Sequence, residues 1–242
     1  MADRSGGGSG AGEVSLGPVA SLECSAPRTY RYARSHRIAE VFGLIFGTSL
    51  LLETAWLSFQ RLPAAAHGSA LLSACAGLCL ADLISGVVHW SADSYGHARM
   101  PIFGGSVRTF REHHADPLDI TRHDAIETNG DVFIFSSPVH FLLLCSVQNP
   151  LVLALIFGVF SGSYCNSQIH KWAPSERPPR WLRALQRSRL LLSPEHHRQL
   201  HQGAHESHYC ITTGWMNPIL DRVRFFRGLE IALAKLGLHR TN

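Results

Sequence analysis

Charged side chains are scarce in this 242-residue chain: Asp, Glu, Lys and Arg make up 17% of it, against roughly 25% in soluble domains. Together with 45% hydrophobic residues, that scarcity excludes a disordered or highly charged polypeptide. The six cysteines (Cys24, Cys75, Cys79, Cys145, Cys165 and Cys210) form no CxxC pair. Most of them lie in or beside apolar runs, so buried thiols are expected rather than a disulfide framework. The formal net charge is +4, but the arginines are scattered and build no compact basic module. Nucleic acid is therefore not an expected partner, whereas the anionic surface of a membrane is. The HExxH spacing of zinc peptidases is also missing.

What the chain does have is apolar runs and histidine. Residues 1–37 begin MADRSGGGSGAGEVSLG and read as a flexible tail. Four apolar runs follow, at 38–59, 67–88, 132–147 and 151–169, the last two separated by Gln148-Asn149-Pro150. The first two have the length a bilayer requires, and the shorter pair reads as a helical hairpin. The expected fold is an all-α integral membrane protein of about four transmembrane helices. Residues 89–131 and 170–242 would form its histidine-rich cap of helices and loops. Arginines concentrate before the first run, between the second and third, and after the fourth, which predicts a cytosolic cap and cytosolic termini. Asp82, inside the second run, should face the bundle interior. Trp90 and Trp172 stand where an aromatic belt would lie. WLRALQRSRLLL reads as an interfacial helix; residues 219–238 read as a second one, or as a helix packed on the domain.

Fifteen histidines are present where about five would be average. His89 and Asp93 (HWSAD) are four apart and share a face if the helix continues past the membrane. His113 and His114 stand in REHHADP, His123 in TRHDAIETNGD and His170 in QIHKW. His196, His197, His201 and His205 stand in PEHHRQLHQGAHESH, with 197, 201 and 205 spaced four and four. Asp93 is read either as a ligand or as a residue that orients one. The isolated His36, His67, His97, His140 and His239 are read as solvent-facing or interfacial. So many imidazoles on one side exceed the needs of one zinc, and imply two metal ions. Nitrogen donors at helix ends beside an apolar bundle suit a di-iron pair that activates dioxygen against an oily substrate. The competing reading is a non-enzymatic, histidine-rich metal-binding membrane protein, which would need ligands along a pore at membrane depth.

SGVVHWSADSYG, FREHHADPLDITRHDAIETNGD, NSQIHKW, HHRQLH and HYCITTGWMN resemble the Kua family of plasmanylethanolamine desaturase-like proteins over residues 38–230. The resemblance implies a membrane desaturase with a histidine-held di-iron centre, using dioxygen and electrons from a donor such as cytochrome b5 and its reductase. It further implies conversion of an alkyl ether phospholipid to the vinyl ether of a plasmalogen, with desaturation or hydroxylation of an acyl lipid as the alternative. The acidic residues Asp3, Glu13 and Glu23 disfavour a plastid transit peptide, so the expected location is the endoplasmic reticulum membrane, with a plastid membrane as the alternative. The topology has a direct check. Tags at residues 1 and 242 should both be reached from the cytosol, and a glycosylation acceptor near residue 64 should be modified; a lumenal carboxyl-terminal tag would reverse the orientation.

Overall fold

The computed structural model describes residues 33–201 and 207–240. The expected tail falls outside these residues except at its end. Its final four residues are helical: α1 runs Arg34–Arg61, starting one turn before the apolar run. Side-chain pairing extends it, since Arg37 bonds Asp124 at 2.8 Å and His36 faces Glu40 and Asp131. Leu62, preceding Pro63, is driven into the extended region and ends the helix. A short 3-10 turn, Ala64–Ala66, leads into α2, His67–Tyr95. At 29 residues, α2 is about 44 Å long, more than a bilayer core of ~30 Å, so its last turns protrude.

Gly104–Ala115 forms α3. The next helix, α4, is Ala125–Ser146, capped by Asp124, whose carboxylate accepts from the amides of Ile126 and Glu127. In α5, Pro150–Trp172, Asn149 caps the amino end and Pro150 occupies the first turn, where its missing N–H costs nothing. Four short helices complete the cap: α6 (Arg180–Arg187), α7 (Pro194–Leu200), α8 (Asn217–Arg222) and α9 (Phe225–Lys235). No strand occurs among the described residues.

Among the described residues, three helical stretches are long and apolar enough to cross a membrane, at 34–61, 64–95 and 150–172. The third expected span, 132–147, lies in α4, which is long enough but not apolar throughout. Glu127, Asn129 and Asp131 occupy its early turns, and Ser137, Pro138 and His140 its middle. The helices are inside out relative to a soluble bundle. On α1, Ile38, Phe42, Ile45, Leu52 and Phe59 are exposed while Glu40, Gly43, Gly47, Thr54 and Ser58 are buried. Large apolar residues facing outwards and small or polar ones facing neighbouring helices are what lipid as the surrounding solvent selects. The α2–α5 crossing is tightest at Gly158 and Gly77, where a Cβ would fall 2.1 Å from the Ala74 carbonyl oxygen and 2.2 Å from that of Leu155, respectively.

Three expectations change on this scaffold, and for residues 219–238 one of the two readings holds. His140 is fully buried, bonding Thr54 Oγ1 at 2.9 Å and the Tyr164 hydroxyl at 3.1 Å, with its ring stacked on Phe160. Trp90 is buried against Phe226, its indole N–H donating to Glu230, because α9 folds over it; it does not stand in an aromatic belt. Residues 219–238 are divided between α8 and α9 by Arg224, at φ 51°, and pack on the domain. The described cysteines are free, but only Cys210 is buried; Cys75, Cys145 and Cys165 face outwards.

Asp82 is wholly buried and joins the membrane helices to the cap. Its carboxylate accepts from four backbone amides: Oδ1 from Thr212, Thr213 and Gly214 at 2.8–3.1 Å, and Oδ2 from Met216 at 3.0 Å. Ser85 Oγ accepts from Ile211 one turn later. Asp82→Ala would strand several buried amides, so the protein should lose ~3–5 kcal/mol, read as a lowered apparent Tm in lipid nanodiscs; an unchanged Tm would deny Asp82 this role.

Candidate metal centre

The protruding end of α2 carries the first candidate ligands. Val88 is 54% exposed and His89 is 0% exposed, so one residue step, a turn of about 100°, passes from the outer apolar surface to the protein interior. Asp93 follows on the same face. His89 Nε2 lies 3.1 Å from His114 Nε2, and the Asp93 oxygens stand 3.4 Å from His89 and 3.2 Å from His114. His89, Asp93 and His114 therefore form one donor group.

His113 precedes His114 on α3 and points into a second group with His170, His197 and His201. Its Nε2 lies 3.1 Å from that of His170, 3.2 Å from that of His197 and 3.1 Å from that of His201. His197 and His201, four apart, present the same face at the end of α7, with 3.1 Å between their Nε2 atoms. Ser193 caps that helix and Pro194 starts it. The two groups adjoin: the His114 and His201 rings are 4.6 Å apart and those of His89 and His170 are 5.6 Å apart.

The donor set fits metal. A neutral imidazole carries one N–H, so four Nε2 atoms facing a common point cannot all be satisfied by hydrogen bonds to each other. Ligand atoms ~2.0–2.1 Å from one ion are ~2.9–3.4 Å from their neighbours, which matches these spacings. Coordination through Nε2 places each ring proton on Nδ1, and His113 Nδ1 is buried with no hydrogen-bond partner among the described residues.

The other sequence-predicted ligands lie elsewhere. His123 sits between carboxylates, 2.9 Å from Glu127 and 3.5 Å from Asp119, and its carbonyl accepts from Lys171 Nζ. It ties the loop before α4 to the end of α5. His196 lies outside both donor groups, its ring tilted 53° to that of His208 at 5.7 Å and close to Gly214. A side chain on Gly214 would approach His196 Nδ1 to 2.7 Å, and the φ of 75° there also favours glycine. His205 lies outside the described residues. The sequence reading missed a smaller group of His36, Glu40 and Asp131. The i, i+4 pair His36 and Glu40 was visible as a local signal, but nothing local announced Asp131.

Burial, reinforced by the neighbouring imidazoles, lowers the pKa of His113 and His197 to about 3 and that of His201 to about 2. These rings are thus neutral, the form that binds metal. In the unfolded chain a histidine titrates near ~6.5, so the unfolded state takes up protons first as pH falls. The metal-free protein should therefore lose stability progressively from about pH 6.5 towards about pH 3, and His197→Gln should flatten that slope. Unfolding midpoints across this range that do not move would show the rings to be protonated in the fold.

Over residues 78–240 the chain matches the lipid desaturase domain family. It is 42% identical over 163 residues to plasmanylethanolamine desaturase of Myxococcus xanthus, covering 64% of this chain and 57% of the relative. It is 40% identical over 176 residues to plasmanylethanolamine desaturase 1 of Mus musculus, covering 66% and 63% respectively. Chloroplastic fatty acid desaturase 4 of Arabidopsis thaliana is 34% identical over 171 residues, 66% of this chain and 50% of the relative. The chain thus spans about three-fifths of the length of the first two of these relatives. No solved structure matches it. Both donor groups fall within the matched residues, and the chain belongs to the lipid desaturase domain family.

Proposed function

We propose that this protein is an oxygen-dependent desaturase that converts an alkyl ether phospholipid into the vinyl ether of a plasmalogen. The observation that carries the reading is the pair of adjoining donor groups at the end of the apolar bundle: His89, Asp93 and His114 in one, His113, His170, His197 and His201 in the other. These residues would hold two irons, and their chemistry favours iron because nitrogen-rich sets with a carboxylate suit that metal. The two relatives named plasmanylethanolamine desaturases support the ether lipid as substrate. The plant relative named a fatty acid desaturase is the observation that favours the second reading, an acyl lipid substrate.

When bound, the metal pair supplies the oxidising power of dioxygen for taking hydrogens from two neighbouring carbons of the lipid chain. Two electrons leave the substrate and two come from an external carrier such as cytochrome b5 with its reductase, so dioxygen ends as two waters. The protein's own contribution is placement. Leu80, Ile84 and Val88, exposed and one turn apart on a single face of α2, offer the lipid chain a track that ends beside His89. The rings of Phe110 and Tyr209 flank His89 at 5.0 and 6.3 Å and keep water from it. Asp93 stands between His89 and His114 and adds negative charge that a cation pair requires. Burial keeps His113, His197 and His201 free of competing protons. We place the chain in the endoplasmic reticulum membrane, cap and termini in the cytosol, where that carrier would meet it, with residues 38–242 acting as one desaturase domain.

The test is expression in cells that lack plasmalogens, followed by lipid mass spectrometry under heavy dioxygen. The expected product is lighter by two hydrogens, cleaved by mild acid and free of label, from protein holding about two irons per chain. His113→Ala and His197→Ala should lower iron content and cut the product at least ~100-fold without affecting membrane insertion. Label retained in the product would make the enzyme a hydroxylase. One zinc and no iron would end the di-iron reading.

A further inference from the structure

A third cluster of donors stands apart from the histidine centre, where the first turns of α1 meet α4. His36 Nε2 lies 3.4 Å from Glu40 Oε1 and 3.2 Å from Asp131 Oδ1, and one donor atom from each residue falls within 4.8 Å of the other two. The local structure is built around this meeting. His36 and Glu40 are one helical turn apart. Gly130, beside Asp131, lets the Glu40 stem lie against the α4 backbone, since a Cβ there would fall 2.3 Å from Glu40 Cγ. Ser106 of α3 donates to Asp131 Oδ2 at 3.1 Å, which holds the other oxygen towards His36.

Glu40 supplies the second, independent observation. Its side chain is 1% exposed, and Oε2 is buried with no hydrogen-bond partner among the described residues. A buried carboxylate oxygen left bare is costly, and a second carboxylate nearby adds repulsion. A proton on His36 would serve Glu40 Oε1 and Asp131 Oδ1 but leave Oε2 as it is. A cation bound among the three would offset the repulsion between the carboxylates and give the buried Glu40 carboxylate a positive partner. The side chains of His36 and Asp131 are 36% and 38% exposed, so the cluster is open to water on one side.

We propose that His36, Glu40 and Asp131 bind one divalent transition-metal cation, separate from the histidine centre. One imidazole nitrogen with two carboxylates suits manganese(II), iron(II) or zinc better than calcium or magnesium, which take oxygen donors alone. The ion ties α1 to α4. His36 and Glu40 precede the family-matched segment 78–240 and Asp131 lies inside it, so the ion would anchor the unmatched first helix to the matched domain.

The test is a manganese(II) titration of the purified chain in nanodiscs, with free ion followed by electron paramagnetic resonance, for wild type, Glu40→Gln and Asp131→Asn. Wild type should take up one ion more than either variant, and Ser106→Ala should weaken that ion by up to ~10-fold. Because the result is a difference between proteins, it does not depend on what the histidine centre holds. Glu40→Gln keeps the shape of the buried side chain, and the half-exposed Asp131→Asn carries the test if Glu40→Gln fails to fold. Equal uptake by wild type and a folded variant would overturn the proposal, as would magnesium displacing the ion at equal concentration.

Discussion

The carboxylate of Asp82 is the fastening on which the cap depends. A charge in the middle of an apolar helix is tolerable only if it is buried and fully bonded, and here four backbone amides of one loop surround it. The loop is thereby held against α2. Gly214, inside the loop, receives His196, and its carbonyl accepts from Asn217, which in turn bonds both backbone groups of Cys210. Leu192, just before α7, donates its amide to Thr212. The helix that presents His197 and His201 thus rests on a loop whose position a membrane-embedded carboxylate sets.

Two kinds of rigidity meet at the candidate metal centre. His89, Asp93 and His170 come from the ends of long helices packed through glycine contacts and close crossings, whereas His113, His114, His197 and His201 come from short cap helices. The long helices fix one wall and the cap closes the other. His123, in the loop before α4, and His196, next to His197 in sequence, serve the cap instead. One pins the approach to α4 through Asp119, Glu127 and Lys171, and the other packs on the loop that Asp82 holds.

Local periodicity was the part of the site legible in the sequence. The four-residue spacings of His89 with Asp93 and of His197 with His201 are helix-face signals, and both pairs meet in the fold. The consecutive pair His113 and His114 could be read as metal-binding, but not that its members enter different groups, since that depends on the roll of α3 against α2. His140 and Trp90 were misread for a related reason. His140 lies inside the run 132–147 and Trp90 just past the run 67–88, and each is buried by elements far along the chain: Thr54 and Tyr164 for the first, Phe226 and Glu230 for the second. The number of spans was blurred by α4, whose polar turns shorten its apolar stretch below that of its neighbours.

The adjacency of Val88 and His89 gives the protein a ruler. The apolar part of α2 ends where the first candidate ligand begins, so on the proposed reading the reacting centre would sit at the level of the lipid headgroups rather than in the depth of the tails. A phospholipid lying alongside, anchored by its headgroup in water, would offer only the carbons nearest its glycerol to that level. Regiochemistry would then follow from depth alone, with no pocket needed to measure the chain from its far end. A tail of any length would be modified at the same position, and chain length would be invisible to the enzyme.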